Sequence, residues 1–454
     1  MPRPRALPQP PNPNPSPSDE DDLIMAILTP KVPFVPQRNG ERTIAVLDVG
    51  TSKVAAMIAI AGPAGSENAE PRVIGTGQKP CNGLRRGLVT DFERTEAAIR
   101  GAMDQAERAA GVQVEYVYAS ISAGNLGSGV TSAEIDIAGA SITAADMATL
   151  REAGRARINP GNRTVVHAQP ALYALDGQPG VESPLGFHAD RLGMDIHVVT
   201  ADTPPLKNLD RAIRNAHIGL KSLVASPLAA SLSTLEREER ELGVALIEIG
   251  AGVTTIAIHM FGMLVGVAAI PMGASDITND LAAAFATRRS HAERLKALDG
   301  AAVTVPKDNH EAVEVPPMTD DGMAEPTRVP KAQIIGVIRH RLDLLFREIA
   351  ISLDRLGFVG PQARQVVLTG GGAELRAIAD FAAGALNRNV RIGRPRGLTG
   401  LPPAQSGPAF ATLAGLVWFA ANEVPDVWHA PAAREATASG GRMARMIEKL
   451  RGSL

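Results

Sequence analysis

Two short stretches of this chain carry the residue types needed to hold a polyphosphate. Ile44-Ala45-Val46-Leu47-Asp48-Val49-Gly50-Thr51-Ser52-Lys53 resembles Ala245-Leu246-Ile247-Glu248-Ile249-Gly250-Ala251-Gly252-Val253-Thr254. Each is an apolar strand ending in a carboxylate, then a glycine turn, then a second strand. Glycine at the turn lets the backbone approach a ligand closely. Successive N–H groups then form a concave anion site. Ser52 and Lys53 add a hydroxyl and a charge. Asp48 and Glu248 at the strand ends can hold Mg²⁺ through its waters, because Mg²⁺ keeps a partly hydrated shell. Two such hairpins facing each other would clamp a triphosphate and its metal. The plainer reading makes both carboxylates ordinary turn residues beside turn glycines. It is weaker for Glu248, since Glu is a poor turn former. It is weaker again for two motifs together, each opening a half rich in strand and helix.

A third element follows. Val366-Val367-Leu368-Thr369-Gly370-Gly371-Gly372-Ala373-Glu374-Leu375 reads as strand, triple glycine, helix. A backbone without side chains lets a flat base or ribose pack against Gly370, Gly371, Gly372 and Ala373. N–H groups at the helix start also favour phosphate. A lone Gly-Gly-Gly is a weak signal, but its place after the second hairpin strengthens it.

These motifs need a scaffold, and the chain is long enough for two or more domains, each with its own core. Formal net charge is −2. No Lys/Arg block reaches five or six, so nothing in the charge points to nucleic acid. Cys81 is the only cysteine, which excludes an intrachain disulfide and suits a reducing compartment. There is no run of about 18 apolar residues and no basic-then-apolar leader pattern, so the chain reads as cytoplasmic. The nine histidines sit apart, without a metal-binding spacing.

Residues 1–40 form a Pro-rich tail that cannot bury enough surface to offset its ordering entropy. Beyond it, strands and helices alternate in an α/β pattern. Thr90-Asp91-Phe92-Glu93 predicts a capping box opening a helix that ends before Gly111. Residues 123–204 read as a mixed block with a helix near 143–157. Helices are expected over 208–219, 227–238, 275–299, 373–386 and 408–420. Within Lys331–Leu356, residues Ile334, Ile338, Leu342, Leu345, Ile349, Leu353 and Leu356 make one apolar stripe, read as core. Residues 424–440 read as a linker.

This order of motifs resembles the superfamily of actin, the heat-shock chaperones and the sugar kinases. Within it the chain closely resembles the FtsA family of bacterial cell-division proteins, over about 43–420 and again in its last helix. The resemblance implies a two-lobed actin-like ATPase fold that binds ATP and Mg²⁺. Asp48–Lys53 resembles the first phosphate motif, Glu248–Thr255 the second, and Thr369–Ala373 the adenosine motif. Ala292-Glu293-Arg294-Leu295-Lys296 resembles the helix near the ribose, so Glu293 and Lys296 are candidate ribose or base contacts. Gly273 and Asp276 lie in a family-like Ile-Pro-Met-Gly-Ala-Ser-Asp-Ile-Thr stretch. Val166-His167-Ala168-Gln169-Pro170-Ala171-Leu172-Tyr173-Ala174-Leu175 resembles the family's inserted subdomain; on its own it could be a generic α+β insert. The implied division is subdomain 1A at 41–122 and 205–242, the insert 1C at 123–204, 2A at 243–270, 2A together with a closing helix at 356–423, and 2B at 271–355. The family usually has Asp where this chain has Glu248, and Ser226-Pro227-Leu228-Ala229 offers no carboxylate or amide to orient a water. ATP binding is therefore expected, with slow or regulatory hydrolysis.

Residues 441–454 form a basic amphipathic segment. Met443, Met446, Ile447, Leu450 and Leu454 share one helical face, flanked by Arg442, Arg445, Lys449 and Arg451. That pattern fits an interfacial anchor on an anionic membrane. The alternatives are a helix packing on the body or a frayed tail; the Ala- and Ser-containing linker argues against tight packing. Each large apolar side chain contributes about 1.5–3 kcal/mol if fully buried, and each basic residue about 1 kcal/mol at an anionic surface. Folding the helix offsets part of this, so one tail binds weakly and several on one polymer bind firmly.

The resemblance implies self-association, capture of the C-terminal peptide of the tubulin-like division protein FtsZ by subdomain 2B, contacts of later division proteins with subdomain 1C, and a place on the inner face of the cytoplasmic membrane. Two rivals remain at this point: a sugar or acetate-type kinase, for which no substrate base can be assigned, and a pilus-assembly actin-like protein, which would lack the basic tail. A chaperone is least favoured, because no separate β-rich domain follows the lobes.

Overall fold

The apolar run Ile44–Leu47 forms the centre of β1 (Arg42–Val49), buried on both faces as a near-continuous apolar strand must be. A computed structural model describes residues 40–62, 70–123, 125–181, 183–318, 325–422 and 426–428. The Pro-rich tail up to 39, most of the expected linker and the amphipathic segment 441–454 lie outside the described residues. β1 turns back into β2 (Lys53–Ala61), which pairs with β3 (Arg72–Pro80). A small hairpin, β4 (Leu84–Arg85) and β5 (Leu88–Val89), follows. Cys81 is 1 % exposed, and burial pushes its thiol up.

Helix α1 (Phe92–Ala110) is capped by Asp91, whose carboxylate accepts the Arg94 N–H at 3.0 Å. This corrects the capping box expected at Thr90. The Thr90 hydroxyl instead donates to the Gly83 carbonyl, the cap falls one residue later, and Glu93 is then too early in the helix to close the box. The helix stops where expected, at Gly111 in the left-handed region (φ 69°). β6 (Tyr116–Ile121) runs parallel to β1.

The chain then leaves this lobe for an insert: β7 (Gly127–Asp136), α2 (Ala144–Arg157), β8 (Arg163–Leu175), β9 (Gln178–Val181) and β10 (Arg191–Asp202). It returns through α3 (Thr203–Asn215) to β11 (Gly219–Ala225), parallel to β6. The structure starts α3 five residues before the expected Asn208, because Pro204 and Pro205 sit in its first turn, where proline is tolerated. The single helix expected over 227–238 is two, α4 (Ser226–Thr234) and α5 (Arg237–Leu242). Leu235 between them is extended and buried, and Glu236 caps α5.

The second half repeats the first. β12 (Val244–Ile249), β13 (Thr254–Met260) and β14 (Met263–Ile270) form an antiparallel trio. α6 (Ala274–Ala284), α7 (Arg289–Leu298), the hairpin β15 (Ala312–Val315) and β16 (Thr327–Pro330), and α8 (Lys331–Arg355) follow. On α8 the expected stripe is buried from Ile334 to Leu353, and Leu356 is half-buried. β17 (Gln365–Thr369) is parallel to β12, and β18 (Asn389–Ile392) to β17. Between them lie a 3₁₀ turn over Gly371–Glu374 and α9 (Ile378–Leu386). A left-handed Ala377 (φ 59°) separates the two, where one helix had been expected over 373–386.

The first lobe's sheet has the order β11-β6-β1-β2-β3, and the second lobe's strands the order β18-β17-β12-β13-β14. The two orders match strand for strand. The insert's four strands, β7-β10-β8-β9, continue the second lobe's sheet, joined through the ladder pair Ala268 and Gly127, with the Val267 N–H donating to the Ser128 hydroxyl beside it at 2.8 Å. The last helix, α10 (Ala411–Ala421), packs Leu413, Leu416 and Val417 on β1 and β2 of the first lobe. There Gly415 touches α4 so closely that a Cβ would lie 1.7 Å from the Ala229 carbonyl oxygen. Gly415→Ala is expected to destabilise the chain by about 1–3 kcal/mol through overpacking, measured by denaturant unfolding.

Three histidines are buried, His167, His197 and His259, and the rings of two stand apart from any partner among the described residues. His197 of β10 is 0 % and His259 of β13 is 3 % exposed, and neither ring has a hydrogen-bond partner among the described residues. Burial lowers His197 to about 4, helped by His167, and His259 to about 3, helped by Arg240 and His197. Unfolded histidine binds its proton near pH 6.5. Between that value and the folded values the unfolded chain holds more protons, so stability falls as pH drops. Thermal midpoints should fall from pH 7 to pH 5 by the equivalent of roughly 2 kcal/mol per histidine. His259→Leu should flatten that dependence.

Candidate functional site

The two phosphate-type turns have one construction. Gly50 N–H donates to the Lys53 carbonyl at 3.0 Å, and Gly250 N–H to the Val253 carbonyl at 2.9 Å. Asp48 faces Ala55 across its hairpin, and Glu248 faces Thr255. The repeat therefore aligns Asp48 with Glu248, Gly50 with Gly250 and Lys53 with Val253. Each turn leaves amides open: the N–H groups of Thr51, Ser52, Ala251 and Gly252 find no acceptor among the described residues. This is the donor arrangement that an anion fills.

Parallel pairing then assembles the site. β12 and β17 are neighbours with Glu248 opposite Thr369, so the triple glycine leaves the sheet beside the second turn. The result is a cleft of about 1460 Å³ between the lobes. Asp48, Gly50, Thr51, Ser52, Lys53, Glu248, Gly250, Gly252, Glu293, Lys296, Gly370, Gly371 and Gly372 all line it. Thr254, Gly273 and Ala373 stand behind it. The Thr254 hydroxyl donates to the Met272 carbonyl, the Gly273 N–H to Asp276, and the Ala373 N–H to the Gly370 carbonyl. The first amides of α6 are committed as well, Ala274 to the Gly250 carbonyl and Ser275 to that of Ala251. That helix start therefore braces the second turn.

Asp48 and Glu248 face the same interior. Burial raises the Asp48 carboxyl above its usual range, against a Ser120 hydroxyl bonded at 2.5 Å and the charge of Lys53. Burial also raises Glu248, and the charge of Asp48 raises it further, against donors from Thr412 and Thr255. The Ser226 hydroxyl lies close enough to lower Glu248 slightly without closing a sound hydrogen bond. It is otherwise a buried, unpartnered polar atom in the cleft wall. Two half-buried carboxylates in one cleft, Asp48 raising Glu248, are short of positive charge. A hydrated Mg²⁺ fits that deficit, because it needs few protein ligands. Among the described residues no group of three or more His, Cys, Asp or Glu could hold a metal ion.

Lys53 lies 3.6 Å over the Phe410 ring; burial lowers its ammonium, while Asp48 and Glu374 support the charge. Farther along the cleft, Lys296 donates to Glu293 and to Thr278, both at 2.8 Å. Burial pushes Glu293 up, but the bonds from Lys296 and Thr278 and the charges of Lys296 and Arg289 bring it below its usual range. Sequence reasoning passed over the β4–β5 turn. The Thr51 hydroxyl accepts the Gly87 N–H at 2.9 Å, and Arg86 lies 3.7 Å from Asp276 of the other lobe. A Cβ on Gly252 would meet Thr51 Oγ1 at 2.8 Å and Arg86 Cα at 3.0 Å, so the lobes touch here. The basic Arg85-Arg86-Gly87 turn was the available signal. Thr412 carried none, because its role depends on where α10 crosses the sheet.

Two lobes of one repeated topology, closed around a cleft by paired carboxylate hairpins, are the actin-like ATPase fold. A chain of a PilM–PilN type IV pilus biogenesis complex shares it: TM-score 0.57, 18% identity, covering 84% of this chain and 98% of that one. The family model "Cell division protein FtsA" matches residues 245–415, and "SHS2 domain inserted in FTSA" matches 123–200. A cell division protein FtsA of Rhizobium meliloti (strain 1021) is 36% identical over 93% of this chain and 97% of its own length. That of Escherichia coli (strain K12) is 32% identical over 82% and 89%. The chain belongs to the FtsA family of cell-division proteins.

The folded states of Asp48 and Glu248 titrate above their unfolded values. Their ionisation therefore costs stability as pH rises through the folded values. Asp48→Asn keeps an acceptor for Ser120 and removes one charge. It is expected to stabilise the ligand-free chain, read as a higher thermal midpoint at pH 7.

Proposed function

We propose that this chain binds ATP with Mg²⁺ in the interlobe cleft, associates with itself, and tethers FtsZ filaments to the inner face of the cytoplasmic membrane. Membership of the FtsA family supports the division role. The observation that carries the nucleotide reading is the pair of open-amide turns, each two residues after a half-buried carboxylate, facing one cleft. The turn amides and Lys53 would take the phosphates, Asp48 and Glu248 the hydrated cation, Glu293 and Lys296 the ribose or base, and Gly370–Gly372 the adenosine face. Bound Mg²⁺ would neutralise phosphate charge. Hydrolysis would be slow: Glu248 is held by Thr255 and Thr412, and Ser226 offers only a hydroxyl to a water.

In this reading subdomain 2B, spanning 271–355, takes the FtsZ C-terminal peptide, and the insert at 123–204 takes later division proteins. Residues 441–454 are the reversible membrane contact, made firm when many copies sit on one polymer. Among the described residues no helix is long and apolar enough to cross a membrane. Head-to-tail subunit contacts can extend without closing, which suits a polymer that lines a membrane.

Purified chain with ATP should recruit FtsZ filaments to anionic liposomes, and a chain ending at Gly440 should not. Binding of neither liposomes nor FtsZ by the full chain would sink the tether reading.

A further inference from the structure

Asp426, Val427 and Trp428, beyond α10, are seated on the insert. Val427 is 3 % exposed and belongs to the insert's own core. Its N–H donates to the Ala168 carbonyl at 2.7 Å, and Asp426 Oδ2 accepts the Ala168 N–H at 3.2 Å. Along β8, β9 pairs only with residues 173–175, which leaves Ala168 on an open edge that Asp426 and Val427 occupy. Trp428 packs beside the same core, with the Arg155 guanidinium 5.8 Å over its ring.

His167 stands where this seat meets the cleft wall. It is buried, and its Nε2 accepts the Ala225 N–H at 3.0 Å. An accepting Nε2 places the ring proton on Nδ1, which lies 3.6 Å from Asp426 Oδ2. The ring also rests on Phe419 of α10, with centroids 5.5 Å apart. Two paths lead from these contacts to Glu248. Ala225 precedes Ser226, the unpartnered hydroxyl beside Glu248. Phe419 lies two turns along α10 from Thr412, which donates to Glu248. Both paths join one cleft carboxylate to one buried ring.

We propose that Asp426–Trp428 is a docking strap for the C-terminal arm, seated on the insert and loosened from the cleft through His167. This rests on the reading that the cleft takes ATP with Mg²⁺. A Glu248 carboxylate turned to a bound cation withdraws from Thr412 and leaves Ser226. α10 and the β11–α4 junction then shift against His167, and Asp426 loses its partner. Once undocked, Asp426–Trp428 no longer tie the chain to the insert, and each of these residues adds up to about 3.5 Å of reach.

The chain has two tryptophans, so Trp418→Phe in the full chain leaves Trp428 as the sole reporter. Acrylamide quenching should rise at least twofold on adding ATP with Mg²⁺. In the added variant His167→Phe it should start high and not respond. Hydrogen exchange of the Ala168 and Val427 amides in the unmutated chain gives a second reading, expected to quicken at least tenfold with ATP. Equilibrium dialysis with labelled ATP runs alongside. Bound ATP with unchanged or lower quenching and exchange overturns the strap and leaves the nucleotide reading standing. A His167→Phe chain that still responds like its parent also overturns it. If no ATP binds, both readings fall.

Discussion

Everything in this molecule is arranged around two carboxylates that burial makes uncomfortable. Asp48 and Glu248 end equivalent strands in lobes of one topology, and the charge of Asp48 raises the energy of ionised Glu248. Asp48 is supported from its own lobe, whereas Glu248 also draws on Thr412 of the closing helix. Ser120, Thr255 and Thr412 take part of the charge, and the open turn amides add donors that aim at an anion. Such a site is stable only because the two sheets and α10 over-determine its geometry. It is also poised, since a cation between the carboxylates and phosphates on the amides relieve the same strain together.

Glu248 ends the strand that matches the one Asp48 ends in the first lobe. Its longer side chain reaches Thr412 on the closing helix as well as Thr255 on its own hairpin. The carboxylate is thus tied at once to the turn that cradles phosphate and to the helix that covers the first lobe's sheet. Local chemistry and long-range packing meet at that residue.

Much of this was legible in the sequence because the decisive signals are local. An apolar strand, a carboxylate and a glycine turn follow one another within ten residues, and backbone geometry places them together whatever else the fold does. The α8 stripe was legible for the same reason. Elements set by tertiary contact were not. The break at Leu235 reflects where a side chain is buried, and no local signal marks the left-handed Ala377 that parts the 3₁₀ turn from α9. Thr412, Ser120 and His167 look unremarkable in one dimension. Their partners lie 164, 72 and 58 residues away. The residues at 426–428 read as linker, because nothing in Asp-Val-Trp announces an open strand edge elsewhere.

The seam between the insert and the second lobe carries a mechanical consequence. The insert is threaded from the first lobe's chain, yet its sheet is an extension of the second lobe's, through the rung of Ala268 and Gly127 and the Ser128–Val267 hydrogen bonds beside it. His167 also bonds the first lobe at Ala225, so the insert is held from both sides of the cleft. Hinge motion between the lobes must shear that rung or drag the insert with it. The insert behaves as a gusset across the joint, and a partner gripping its outer strands holds a lever on the opening angle of a site it never touches.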